Sequence, residues 1–127
     1  MRLKNFALGY GTQIFKAFSD ESRVRILFLL HHYEELCISD LEHILEFTQT
    51  KTSRHLSYLK NSGLLGSRKH DQWVFYHIKD EVKDLVGQIF QYLNKDHILL
   101  ADLETIKVLD SNRELAQYKI SNRQLAL

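Results

Sequence analysis

Residues Ser39 to Gly63 read SDLEHILEFTQTKTSRHLSYLKNSG, and this stretch decides the fold. Ser39-Asp40-Leu41-Glu42 has the form of a capping box, in which the Ser39 hydroxyl accepts from the amide of Glu42 and the Glu42 side chain reaches back. The spacing predicts a short helix from there to about Phe47. Thr48 is the expected N-cap of the next helix, since a hydroxyl there satisfies a first-turn amide that has no partner within the helix. That helix places Thr52, Leu56 and Leu59 on one face and stops at Asn61-Ser62-Gly63. Two helices joined by a tight turn, the second ending in glycine, have helix-turn-helix spacing.

Upstream, Leu3, Phe6, Ala7, Tyr10, Ile14, Ala17 and Phe18 recur at helical spacing and predict a first helix, weakened near its start by Gly9 and Gly11. Ser19-Asp20 offers N-caps for a second helix from Glu21 to about His32. Its Val24, Ile26, Leu27, Phe28, Leu29 and Leu30 leave almost no polar side, so this helix is expected to be central and buried. His31 and His32 fall at its C-terminal end, where the helix dipole favours protonated imidazole.

Downstream of Gly63 the period changes from helix to strand. Leu64 to Lys69 and Trp73 to Ile78 read as two strands of a hairpin around His70-Asp71-Gln72. Asp80 then caps a single long helix carrying Val82, Leu85, Val86, Ile89, Leu93, Leu100 and Leu103, with Phe90 beside them. The expected fold is mainly α with a small β-hairpin (α+β): a winged helix-turn-helix with additional N- and C-terminal helices forming a dimer interface. Residues 1–110 are expected to form the DNA-binding and dimerisation domain. For the C-terminal tail 111–127, a last helix and partial disorder both stay open.

Composition narrows the class. With 44% hydrophobic and 26% charged residues among 127, the chain is expected to fold as one globular unit. No apolar run has the length of a membrane span, and the N-terminus lacks the apolar core of a secretion signal. The single cysteine, Cys37, excludes an intramolecular disulfide and argues for a reducing, cytoplasmic setting. The net charge of +1 says little, but its distribution says more. Five acidic residues and no Lys or Arg lie between Glu34 and Glu46, whereas five basic residues and no acid lie between Lys51 and Lys69. Such blocks place a positive face on a balanced surface.

Several motifs resemble those of the ArsR-type family of transcriptional regulators. Ile14-Phe15-Lys16-Ala17-Phe18-Ser19-Asp20-Glu21-Ser22-Arg23-Val24-Arg25-Ile26-Leu27 looks like the family's opening signature, with Glu21 where the family usually has proline. Glu35-Leu36-Cys37-Ile38-Ser39-Asp40-Leu41 resembles its metal-binding stretch. Thr48 to Leu56 is similar to its recognition helix, and Gly63-Leu64-Leu65 with Arg68 and Trp73-Val74-Phe75-Tyr76 matches its wing. The resemblance runs from about Ile14 to Ile78. It implies a homodimeric, sequence-specific repressor.

Chemistry independent of the resemblance points the same way. A helix fits the major groove with residues near its N-terminus at base edges. The candidates are Thr48, Gln49, Thr50, Lys51, Ser53, Arg54 and His55, with His55 also placed for packing beside Thr52. Gln and Arg can each bond a base in two places, while Lys and the hydroxyls hold phosphates. Arg68, Lys69 and His70 on the wing are placed for a neighbouring phosphate or the minor groove. Trp73, Phe75 and Tyr76 alternate as core aromatics do, rather than as a stacking platform. The expected partner is double-stranded DNA, an operator with an inverted repeat, because such modules bind as two-fold dimers. Phe6, Tyr10, Leu85, Ile89, Leu93 and Leu100 are the expected dimer contacts, on an apolar stripe longer than one domain can cover.

The effector is a separate question. The family's thiolate site needs at least two cysteines, and here Ser39 stands where the second would be. The family's other metal site uses Asp and His on the last long helix, and Asp84, Asp96 and His97 do not assemble it at the required spacing. His31, His32 and His43 form a further set on paper. The expectation is therefore no metal and no cofactor. A small organic ligand, a redox signal at Cys37 and no effector at all stay open. An enzyme is not expected: no glycine-rich phosphate loop, nucleophile–base pair or carboxylate pair stands out. The competing reading is a winged-helix module for protein interaction or RNA binding, which would lack the steep salt dependence of a DNA reader.

Overall fold

Asp20, in extended backbone, accepts from the Arg23 amide at 3.2 Å and starts the helix around which everything else is arranged. The computed structural model describes residues 5–125, with side chains described through Ile120, so Leu3 lies outside the described residues. The elements are α1 (Leu8–Ala17), α2 (Glu21–His32), β1 (Leu36–Cys37), α3 (Ile38–Leu45), α4 (Gln49–Asn61), β2 (Leu65–His70), β3 (Trp73–Ile78), α5 (Asp80–Leu93), α6 (His97–Ser111) and α7 (Ala116–Leu125). As expected, α2 is buried along its middle: Ile26 to Leu30 are each 3% exposed or less. Helices α4, α5 and α6 and strand β3 pack against it.

The N-terminal helix is shorter than the sequence pattern suggests. It begins at Leu8 with Ala7 as N-cap, so Phe6 precedes it and packs edge-on against Tyr10 instead. The Tyr10 hydroxyl donates to the Gly63 carbonyl at 2.7 Å, fastening α1 to the end of α4. Gly63 has φ +86° and a Cβ there would stand 2.6 Å from the Tyr10 ring, so this position needs glycine twice over.

The hairpin forms with β2 and β3 antiparallel, in register from Leu65 opposite Ile78 to His70 opposite Trp73. A third strand, β1, completes an antiparallel sheet of order β1-β3-β2, with Leu36 opposite Tyr76 and Cys37 opposite Phe75. Two residues are too few for a period-2 signal, so this strand exists only through its tertiary partner. It also moves the start of α3. Pairing holds Leu36 and Cys37 extended, and the helix begins as soon as pairing ends. The N-cap is Cys37, not Ser39, and the capping box links Cys37 with Asp40 rather than Ser39 with Glu42. The helix then stops at Leu45, not Phe47, with Glu46 left-handed.

The expected single long C-terminal helix is two. Helix α5 ends at Leu93, and Asp96 opens α6 by accepting from the amides of Ile98 and Leu99 at 2.9 and 3.1 Å. Asp80 is the first residue of α5, not its cap; Lys79 takes that place, and Asp80 pairs with Lys83 at 2.8 Å. Helix α6 turns back over α2 and α3, and Asp102 accepts two bonds from the Arg25 guanidinium, at 2.8 and 2.9 Å. Helix α7 docks beside β1, where Ala116 joins Cys37 and Phe75 in a small apolar cluster edged by Trp73 and Ile120.

Asp40 ties these parts together. Its carboxylate is 6% exposed and accepts from the Cys37 amide at 3.0 Å and from the Ala116 amide at 2.9 Å. Burial pushes its carboxyl above the usual range, against the pull of those two hydrogen bonds. Asp40→Ala would strand two buried donors and is expected to lower the unfolding free energy by about 2–4 kcal/mol in a urea titration. A loss below roughly 0.5 kcal/mol would show that water can serve both amides equally well.

Candidate nucleic-acid interface

Helix α4 is oriented by what it buries. The Thr48 hydroxyl accepts from the Lys51 amide at 3.1 Å, as the sequence suggests for an N-cap. The Thr52 hydroxyl donates to the Thr48 carbonyl at 2.8 Å and faces the core with Leu56 and Leu59. With that face inward, Thr48, Gln49, Thr50, Ser53 and Arg54 are exposed along the first two turns. The helix contains no acidic residue. Amides at its N-terminus, with the helix dipole, add to the attraction for a phosphate.

Two of the expected contacts behave differently. His55 is not on this surface: it is buried, 6% exposed, on the side of α4 that carries Thr52 and Leu59. Burial draws its imidazole below the usual value, partly opposed by Asp20 and reinforced by Arg54, Arg23 and Lys51. Lys51 is half-buried, with its ammonium 4.1 Å from the centre of the Phe47 ring. On the wing, Arg68 is exposed but its guanidinium is held by Glu35 at 2.6 Å and lies over Phe75. Lys69 is exposed and forms no ion pair among the described residues. His70 is half-buried at the hairpin end. Phe75 is buried and Trp73 and Tyr76 half-buried, as core aromatics.

The sequence reading missed Arg23. Its guanidinium donates to the carbonyls of Ala17 and Lys16 and lies 4.1 Å over the Tyr58 ring of α4. It therefore braces α4 against the α1–α2 corner. A lone Arg in a helix gives no sign of this, because the contact closes across 35 residues of chain.

The expected dimer residues divide. Phe6 and Leu85 line a cleft of about 360 Å³ between α1 and α5, which Gly11, Phe15 and Gln88 also border. Tyr10 and Ile89 are half-buried. Leu93 and Leu100 do not share that cleft: the chain breaks after Leu93, and α6 carries Leu100 away to the α2–α3 side. Three exposed apolar residues were missed, Leu8 and Phe15 on α1 and Tyr92 on α5, which are 88%, 72% and 90% exposed. Phe15 could have been found as an apolar residue outside the α1 core pattern.

The remaining candidates scatter. Among the described residues, no three of His, Cys, Asp and Glu converge as a metal site. Cys37 is buried, and burial, with Asp40 beside it, pushes its thiol up to about 12. At neutral pH it is a protonated thiol and a poor ligand or nucleophile. His31 and His32 also differ from expectation. Partial burial of both rings draws the imidazoles down, with His31 stacked on Phe90 and His32 edge-on to Phe28. Among the described residues no helix is long and apolar enough to cross a membrane.

A capped helix with an exposed polar and basic N-terminal half, set before an antiparallel wing, defines a winged helix-turn-helix DNA-binding protein. The family model described as bacterial regulatory protein, arsR family, matches residues 20–67. The arsenic resistance transcriptional regulator ArsR1 of Pseudomonas putida is 36% identical over 98 residues, covering 71% of this chain and 77% of that protein. The arsenical resistance operon repressor of Escherichia coli is 44% identical over 77 residues, covering 61% and 66%. Among solved structures, HlyU of Vibrio cholerae superposes with a TM-score of 0.61 at 33% identity, covering 65% of this chain and 90% of that one. The homodimeric winged helix-turn-helix domain of a possible ArsR-family regulator from Mycobacterium bovis gives 0.63 at 25% identity, covering 72% and 83%. The chain belongs to the ArsR family of bacterial transcriptional regulators.

The buried histidine makes stability depend on pH with a definite sign. With its folded value below the ordinary 6.5, His55 takes up a proton in the unfolded chain first as pH falls. Stability is therefore complete above about pH 6.5 and lost as pH falls toward the folded value, with His31 and His32 acting in the same direction. Urea midpoints across this range should decline on acidification, and His55→Leu should make the decline shallower. An unchanged slope in that variant would mean the imidazole titrates freely.

Proposed function

We propose that the protein is a homodimeric repressor, not an enzyme, that reads an inverted-repeat operator through α4 and steadies itself with the wing. The observation that carries this reading is the division of α4, which buries Thr52, His55, Leu56 and Leu59 and turns Gln49, Thr50, Ser53 and Arg54 outward. In this reading Gln49 and Arg54 contact base edges. Lys51 and the hydroxyls of Thr48, Thr50 and Ser53 hold phosphates, and so does Lys69 at the wing. Arg68 acts first through Glu35, fixing the wing to the segment before β1, and meets DNA only by exchanging that partner.

The dimer forms across α1 and α5, where Phe15 borders the cleft lined by Phe6 and Leu85 and where Leu8 and Tyr92 are exposed on the same two helices. Exposed large apolar side chains on two neighbouring helices favour a second copy over water. The homodimeric winged helix-turn-helix domain from Mycobacterium bovis supports this assembly. The relatives named above concern arsenic resistance. Here one buried thiol per chain is a poor substitute for a converging set of thiolates, so in this reading no thiolate-bound metal is the signal.

Arg54→Ala and Gln49→Ala should each weaken binding of a selected duplex by about 1–3 kcal/mol and relax one base position. Lys51→Ala should weaken all sequences alike and reduce the salt slope by about one. Parent-like binding by all three variants in fluorescence anisotropy would remove α4 from the interface, and a flat salt dependence in the parent would favour the protein-interaction reading.

Phe15→Glu together with Leu85→Glu should shift the protein from dimer to monomer in sedimentation equilibrium. Operator affinity should then fall by roughly 100-fold or more, because the half-sites are no longer engaged together. A double variant that still sediments as a dimer would place the two-fold contact elsewhere.

A further inference from the structure

We propose that the cleft between the α1–α2 corner and the α5–α6 corner binds a small organic cation with an apolar body. The cleft encloses about 310 Å³, at the small end of the range occupied by ligand sites. Its walls are Phe18, Val24, Leu93, Ile98 and Leu99. Leu93 and Ile98 remain 37% and 42% exposed, apolar surface that the body of a ligand would take out of water.

Three of the four charged residues around it are acidic. Asp20, Glu21 and Asp96 border the cleft. Arg25, also at its edge, is held in a two-bond pair by Asp102 at 2.8 and 2.9 Å and attracts Glu21 as well, so it offsets the three carboxylates only in part. Asp96 engages one oxygen, Oδ2, for both of its helix-cap bonds, and Glu21 is exposed. Carboxylates of one sign over low-dielectric walls concentrate a negative potential. The Phe18 ring adds an aromatic face, which attracts cations too. An anion would meet three carboxylates, and a neutral apolar molecule would leave them unused.

The cleft also touches the brace of the recognition helix. Asp20 accepts from the Arg23 amide and lies 3.9 Å from the Arg23 guanidinium, which covers Tyr58 of α4. A cation drawn to Asp20 competes for one of the groups around Arg23, whose guanidinium also donates to the Lys16 and Ala17 carbonyls. This couples the cleft to α4 through a single side chain.

The test is isothermal titration of the full chain with hexyltrimethylammonium, and with hexanesulfonate as the probe of equal length and opposite charge. The cation should saturate one site per chain, and the anion should show no saturable binding. Glu21→Gln should weaken the cation about threefold, the effect of one exposed ion pair. Val24→Trp, which fills the cleft, should weaken it by roughly tenfold or more. Absence of saturable cation binding at millimolar concentration, equal binding of the anion, or unchanged affinity in Glu21→Gln would overturn the proposal. Glu21 is exposed, so that variant decides even where Val24→Trp does not fold. Binding is read without DNA, so failure of the operator reading leaves this result intact, and the reverse holds.

Discussion

Helix α2 carries five consecutive buried residues, Ile26 to Leu30, and a helix of that kind is stable only when packed on every side. Each of those side chains contributes about 1.5–3 kcal/mol when removed from water, which makes α2 the largest single claim on the surrounding elements. Helices α4, α5 and α6 and strand β3 meet that claim from different directions. Helix α4 is therefore placed by the core rather than by its own turn: Leu56 and Leu59 are pulled inward, and the polar residues between them have only the outside left.

Buried polar groups then set angles that apolar packing leaves loose. Arg25 and Asp102 join α2 to α6 through a planar pair, and its two parallel bonds define an orientation as well as a distance. Asp40 does the same for β1, α3 and α7, since one carboxylate receives the amide of Cys37 beside it and that of Ala116, 76 residues further along the chain. A misplaced α7 would leave the Ala116 donor in an apolar cluster without a partner, which is costly. The C-terminal helices thereby become part of the frame that holds the helix-turn-helix.

The surface proposed to face DNA follows from the same frame with a different balance of forces. A net charge of +1 conceals a helix with no acid and a segment before it that is rich in acid. The fold also spends two basic side chains internally, Arg23 over Tyr58 and Arg68 on Glu35, as braces for α4 and the wing. What remains exposed is a small polar patch, suited to binding that is driven by contact geometry and tuned by salt.

Local sequence by itself determined the elements whose cause is local. The Thr48 cap, the Gly63 stop, the Asp20 cap of α2 and the alternation of the hairpin all depend on residues within a few positions, so spacing and side-chain chemistry were enough to read them. The polar N-terminal half of α4 was legible for the same reason. Tertiary structure decided what depends on a distant partner. Pairing with Tyr76 and Phe75 created β1 and moved the cap of α3 from Ser39 to Cys37. Packing against Thr52's neighbours took His55 from the surface to the interior. The break at Asn94 to Asp96 followed from α6 folding back to bring Asp102 onto Arg25, and it removed Leu100 from the expected dimer face. The apolar period continues through that break because both helices bury a face on α2, and a period alone cannot show that the chain has turned.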